Sequence, residues 1–144
     1  MRMCKRILAL VCAALMLVAC VSCGDKTENV KKAFEDAGWI VESADTNNKG
    51  MIDMYAVLNL TKDQVLALKA HEVFVATNGT DFTDRAVIVK CESGADIESL
   101  LTVTAEDGTE SKAQYDTAKE NGWIAGNCLI LTKSDAAIEI FKKV

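Results

Sequence analysis

Residues 45 to 56 read DTNNKGMIDMYA and carry the outline of a calcium loop. Asp45, Asn47 and Asp53 take the first, third and ninth ligand positions of an EF-hand. Gly50 falls at the turn and Ile52 at the buried eighth position. Two positions break the site. The twelfth needs a bidentate Glu and is Ala56; the fifth needs an oxygen ligand and is Lys49. The incoming helix is also missing, because Gly38-Trp39-Ile40-Val41 already reads as a turn into strand. The stretch is therefore read as a polar connection, and no metal site is assigned.

Little else in the chain offers chemistry. His71 is the sole histidine and reads as a helix-to-strand junction residue. No G-x-S-x-G or H-E-x-x-H motif occurs, and neither a P-loop nor a dinucleotide fingerprint is present. The carboxylates Asp81, Asp84, Asp96, Glu98, Glu106, Asp107 and Glu110 read as a solvated surface. A glycosidase pair would need a set separation across a cleft, which sequence alone does not specify. No catalytic residue is assigned and no cofactor is expected.

The first 19 residues read MRMCKRILALVCAALMLVA. Arg2, Lys5 and Arg6 form a positive start, and Ile7 to Ala19 is an uncharged apolar run of 13 residues. That run is too short to span a bilayer and suits the apolar region of a signal peptide. It ends LVAC, with Cys20 after a small residue. This ending resembles the lipobox of bacterial lipoproteins. The resemblance implies cleavage before Cys20, a diacylglycerol on its thiol, and a lipid tether on the extracytoplasmic face of the cell membrane. Residues 1–19 are then the leader, 20–28 a linker and 29–144 the domain. Cys23, preceded by CVS, is the weaker acylation candidate.

Losing the leader removes three cations and no acid, so the formal charge of −5 becomes −8. An acidic domain lacks the basic stripe that phosphates require, and no nucleic-acid partner is expected. Anionic headgroups would repel it, which leaves the lipid on Cys20 as the link to the membrane. Cys20 and Cys23 form a C-x-x-C pair, but a lipidated Cys20 is a thioether and neither attacks nor ligates as a thiolate. Cys91 and Cys128 border strand-like RAVIVKC and CLILT. In an oxidising compartment they are candidates for a disulfide, with two free buried thiols as the alternative.

The pattern predicts a helix over Asn29 to Ala37, stopped by Gly38, then a strand from Trp39 to Val41. Residues 51–60 fit both helix and strand, with helix preferred. Thr61 to Gln64 has capping-box spacing and opens a helix through Ala70. Val73 to Ala76 and Ala86 to Val89 read as a hairpin. A helical stretch from Ile97 is interrupted around Glu106 to Gly108 and resumes from Ala113 to Asn121. Cys128 to Leu131 reads as a strand and Ser134 to Lys143 as a closing helix. Gly38-Trp39-Ile40 recurs as Gly122-Trp123-Ile124, and Leu58-x-Leu60-Thr61-Lys62 as Leu129-x-Leu131-Thr132-Lys133. These echoes fit either a duplication or a repeated helix-to-strand junction.

The leader, the AGW helix stop, the central hairpin and the GN turn together resemble small uncharacterised lipoproteins of Gram-positive bacteria. The expectation is an α+β fold of one domain, with an antiparallel sheet and helices packed mainly on one face. The expected role is a lipid-anchored, non-enzymatic module that binds an unknown protein or small molecule. The alternative is a hydrolase of cell-wall or extracellular polymers.

Overall fold

The computed structural model describes residues 25–44, 58–68 and 70–144. The leader, Cys20, Cys23, the calcium-like stretch and most of the ambiguous 51–60 segment lie outside them. Among the described residues the order is α1 (Thr27–Asp36), β1 (Trp39–Ser43), α2 (Lys62–Leu68), β2 (Glu72–Asn78), β3 (Arg85–Lys90), α3 (Gly94–Leu101), β4 (Val103–Thr104), β5 (Glu110–Ser111), α4 (Ala113–Glu120), β6 (Ile124–Ala125), β7 (Cys128–Thr132) and α5 (Asp135–Phe141).

Five strands form one sheet in the order β1-β2-β3-β7-β6, and every pairing is antiparallel. β4 and β5 make a separate small hairpin. This is a single α+β domain with an antiparallel sheet, as expected.

The distribution of the helices differs from the expectation. On β3, Ala86 and Ile88 join Val30, Phe34, Ala137 and Phe141 in one apolar cluster. Val87 and Val89 join Leu68, Ile97, Leu101 and Ala118 in the other. α1 and α5 thus cover one face, and α2, α3 and α4 the other. The physical reason is visible in β3 and β7. Residues 86 to 89 and 128 to 132 are buried without a break. Strands apolar on alternate residues leave one face wet; continuous apolar runs need cover on both sides.

Local chemistry sets the element ends. Thr61 Oγ1 accepts from the Gln64 amide at 3.2 Å, and Gln64 Oε1 accepts from the Thr61 amide at 2.9 Å. The expected capping box is therefore made. Gln64 also donates from Nε2 to the Leu100 carbonyl at 2.9 Å and to Gln114 Oε1 at 2.7 Å. That ties α2 to α3 and α4. Ser93 and Asp96 form a second capping box, at the start of α3.

Gly38 and Gly122 have φ of +83° and +70°, the left-handed conformation that ends a helix at little cost only for glycine. Both members of the Gly-Trp-Ile echo are thus helix-to-strand junctions. The second echo does not persist in structure. Leu129 to Thr132 is strand, whereas Leu58 to Thr61 is a turn leading into α2. The interruption expected at Glu106 to Gly108 is the turn of the β4–β5 hairpin, not a break within one helix.

The first helix begins two residues before the pattern predicts. α1 starts at Thr27 instead of Asn29, and Thr27 is buried. The residues that secure this start form the most connected polar group at one end of the sheet.

Candidate functional site

A cleft of about 410 Å³ opens at that end, lined by Asp25, His71, Glu72, Lys90, Cys91 and Asn127 among others. Its position follows from the topology. β2 begins there at Glu72, β3 ends there at Lys90, and the β6–β7 turn delivers Asn127. Gly126 makes that turn with φ of +57°.

Asn127 is 6% exposed and uses both ends of its amide. Oδ1 accepts from the Lys26 amide at 2.9 Å. Nδ2 donates to Asp25 Oδ1 and to the Cys91 carbonyl, both at 3.0 Å. Asp25 Oδ1 accepts in addition from the Thr27 amide at 2.8 Å and from the Thr27 hydroxyl. Lys90 Nζ lies 3.5 Å from Asp25 Oδ2 and 3.5 Å from Glu72 Oε2. One side chain therefore fastens the first described residues to the end of β3 and the start of β7.

The same contacts decide what the cleft can do chemically. The Thr27 hydroxyl, the Thr27 amide and Asn127 hold the Asp25 carboxyl well below the usual carboxylate range, and Lys90 adds to this. Asp25 and then Glu72 push the Lys90 ammonium up, so it stays charged and is no nucleophile. Burial pushes the Cys91 thiol up to about 11, with Asp96 and Cys128 adding to it. At neutral pH it is a thiol, not a reactive thiolate. Lys90 is shared between Asp25 and Glu72, Glu92 adds a further acid to the lining, and the Cys91 thiol is quenched. The arrangement is a clamp on the chain, with room beside it for a small polar molecule.

The Cys91–Cys128 disulfide is not formed. Both residues are free and buried. Cys91 packs in the cluster under α2, α3 and α4, and Cys128 in the cluster under α1 and α5. In the ladder Lys90 faces Cys128, so Cys91 is offset by one residue and its side chain points to the opposite face. Thiols on opposite faces of a sheet do not meet the Cβ geometry of a disulfide. The alternative, two buried thiols acting as small apolar groups, describes them.

His71 lies on the rim of the cleft, between α2 and β2. Asp81 and Asp84 stand at the far end of the sheet, in the β2–β3 loop. Asp96 and Glu98 lie on α3, and Glu110 on the small hairpin. Glu98 and Glu110 line a second, open cleft of about 380 Å³, where Lys112 pairs with Glu98, but the carboxylates as a set are not gathered into one site. Among the described residues no group of three or more His, Cys, Asp or Glu is placed to hold a metal ion. No described helix is long and apolar enough to cross a membrane.

No protein-family model, curated protein or solved structure matches this chain. The reading of function therefore rests on its own residues.

Sequence reasoning passed over Asp25 and Asn127. Asp25-Lys26-Thr27 has the spacing of an Asx turn, and Asn127 was legible only as a turn residue. The bond between them spans 102 positions, and nothing local announces it.

One consequence is a pH dependence. The carboxyl of Asp25 is more acidic in the fold than in the unfolded chain, where it titrates near 3.9. Its stabilising contribution is complete above about pH 4 and is lost as pH falls towards the lowered folded value. Asp25→Asn should lower stability at neutral pH and flatten the acid limb. Urea midpoints measured from pH 7 downward check this; an acid limb below pH 4 as steep as that of the wild type would count against it.

Proposed function

We propose that this protein is an extracytoplasmic lipoprotein, tethered by a diacylglycerol on Cys20, whose domain serves as a non-enzymatic module for binding a protein or small molecule. The observation that carries the reading is the leader: a cationic start, an apolar run of 13 residues and LVAC with Cys20 at its end.

Two features support it. Cys20 stands five residues before Asp25, and five residues reach at most about 18 Å. The clamp at Asp25 and Asn127 gives the chain a firm point of attachment immediately after that short tether. The acidic surface left after loss of the leader gives the protein itself no attraction to anionic headgroups, so an acyl anchor supplies what the surface does not.

Metabolic labelling with a fatty-acid probe tests the reading. The wild type and Cys23→Ala should take up the label, and Cys20→Ala should lose it. A Cys20→Ala variant that labels like the wild type would overturn the assignment.

A further inference from the structure

The clamp and the β2–β3 loop lie at opposite ends of the sheet. Asp25 bonds beside Lys90 and Asn127, where β2 begins and β3 ends. The loop joins Asn78 to Arg85, where β2 ends and β3 begins. The seven residues of β2 separate the two ends by about 20 Å. In a chain tethered through Cys20, the loop is at the end of the sheet away from the tether; this orientation rests on the lipoprotein reading.

Two large apolar side chains are exposed at that far end. Phe82, in the loop, is 61% exposed. Ile40, 47% exposed, stands on β1 opposite Thr77, one residue before the end of β2. The loop is held in place by its own groups. Asn78 Oδ1 accepts from the amide and hydroxyl of Thr80, both at 3.0 Å. Asp81 Oδ1 accepts from the Thr83 amide at 3.0 Å and its hydroxyl at 2.6 Å. Arg85 Nε donates to the Phe82 carbonyl at 2.8 Å. Gly79 packs so closely on Gly38 that a Cβ there would lie 2.5 Å from the Gly38 carbonyl oxygen. The exposed ring is thus presented on a fixed loop, so binding through it carries little ordering cost.

The charge around Phe82 is mostly negative. Asp81 and Asp84 flank it within the loop, and α1 ends beside Gly38 with Glu35 and Asp36 and no basic residue in its last turn. The partial negative charge of a helix C-terminus adds to theirs. Arg85, at the end of the loop, is engaged with the Phe82 carbonyl.

We infer that the Phe82 loop is an outward-facing docking tip for a cationic protein segment that carries aliphatic side chains. The ring enters an apolar recess between those side chains, and the acids around it meet the partner's lysines or arginines. Buried aromatic anchors with polar rims have this anatomy at protein interfaces. A second copy of this chain, equally acidic, would be repelled from the tip, as would an anionic membrane.

The test uses the full-length protein in a neutral detergent and a fluorescent peptide of alternating lysine and leucine. The wild type should bind it, more weakly as salt rises. It should bind an alternating lysine–glycine peptide less tightly. Phe82→Ala should weaken the lysine–leucine peptide by about tenfold. Leu66→Ala, which removes another exposed apolar side chain, on α2, should not.

The inference fails if Phe82→Ala binds like the wild type, if Leu66→Ala weakens binding as much, or if the glycine peptide binds equally well. It also fails if Phe82→Ala abolishes a dimer of the wild type, which would make a second copy the occupant. It fails again if Phe82→Trp gains quenching by brominated phosphatidylcholine vesicles, which would make a bilayer the occupant. Peptide binding in detergent does not depend on acylation of Cys20, so this failure and that of the lipoprotein reading are separately visible.

Discussion

Ile88→Ala and Leu129→Ala should each destabilise the domain by about 2–5 kcal/mol. Both side chains are fully buried, and they belong to opposite faces of the sheet. Ile88 packs with Phe34, Phe74 and Phe141, and Leu129 with Leu68, Ile97 and Leu101. A sheet covered on one face would lose heavily from one substitution and little from the other. With helices on both faces, both truncations leave cavities that a close-packed interior refills only in part. Equilibrium urea unfolding measures each cost. A Leu129→Ala cost below about 1 kcal/mol would show that the face under α2, α3 and α4 is not a packed core.

Asn127→Ala should cost about 2–4 kcal/mol. Three hydrogen bonds go with the amide, each worth about 1 kcal/mol net. The Cys91 carbonyl loses this partner in a buried setting, and unsatisfied buried groups cost more than the bond itself contributes. The loss should be local as well as global. Amide exchange should quicken first at Lys26 and Thr27, because the bond that holds the Lys26 amide is gone. Substitution of Asn121, an exposed Asn at the end of α4, should be mild by comparison. Unfolding midpoints and exchange rates check both statements, and equal costs for the two asparagines would remove the clamp from the account.

Much of the fold was legible because much of it is local. The Thr61–Gln64 capping box, the glycine stops at 38 and 122, the hairpin of β2 and β3 and the closing helix all depend on residues close in sequence. Placing helices mainly on one face was a misreading of a signal that was present. AVIV and CLILT are continuous apolar runs, and such runs mark strands covered twice. The β4–β5 hairpin is two residues long on each side, too short for an alternation to register. The pairing of Cys91 with Cys128 failed for a geometric reason. A one-residue offset in register sends the two side chains to opposite faces, and register is not written in cysteine spacing.

The candidate site was less legible than the fold. The clamp joins residues 36 and more than 100 positions apart. Asp25 lay within the segment read as linker, and its role depends on a turn that returns to it at the other end of the chain. The docking tip was visible only as a polar loop. What distinguishes it is the exposure of Phe82 and the close approach of Gly79 to Gly38, and both require the folded chain.

The mass of the N-terminal peptide of the mature protein is the test of the anchor. A lipoprotein cleaved before Cys20 yields a peptide that begins at Cys20 and carries a diacylglycerol in thioether linkage. A mature chain that retains the leader, or one cut elsewhere with Cys20 unmodified, would contradict it.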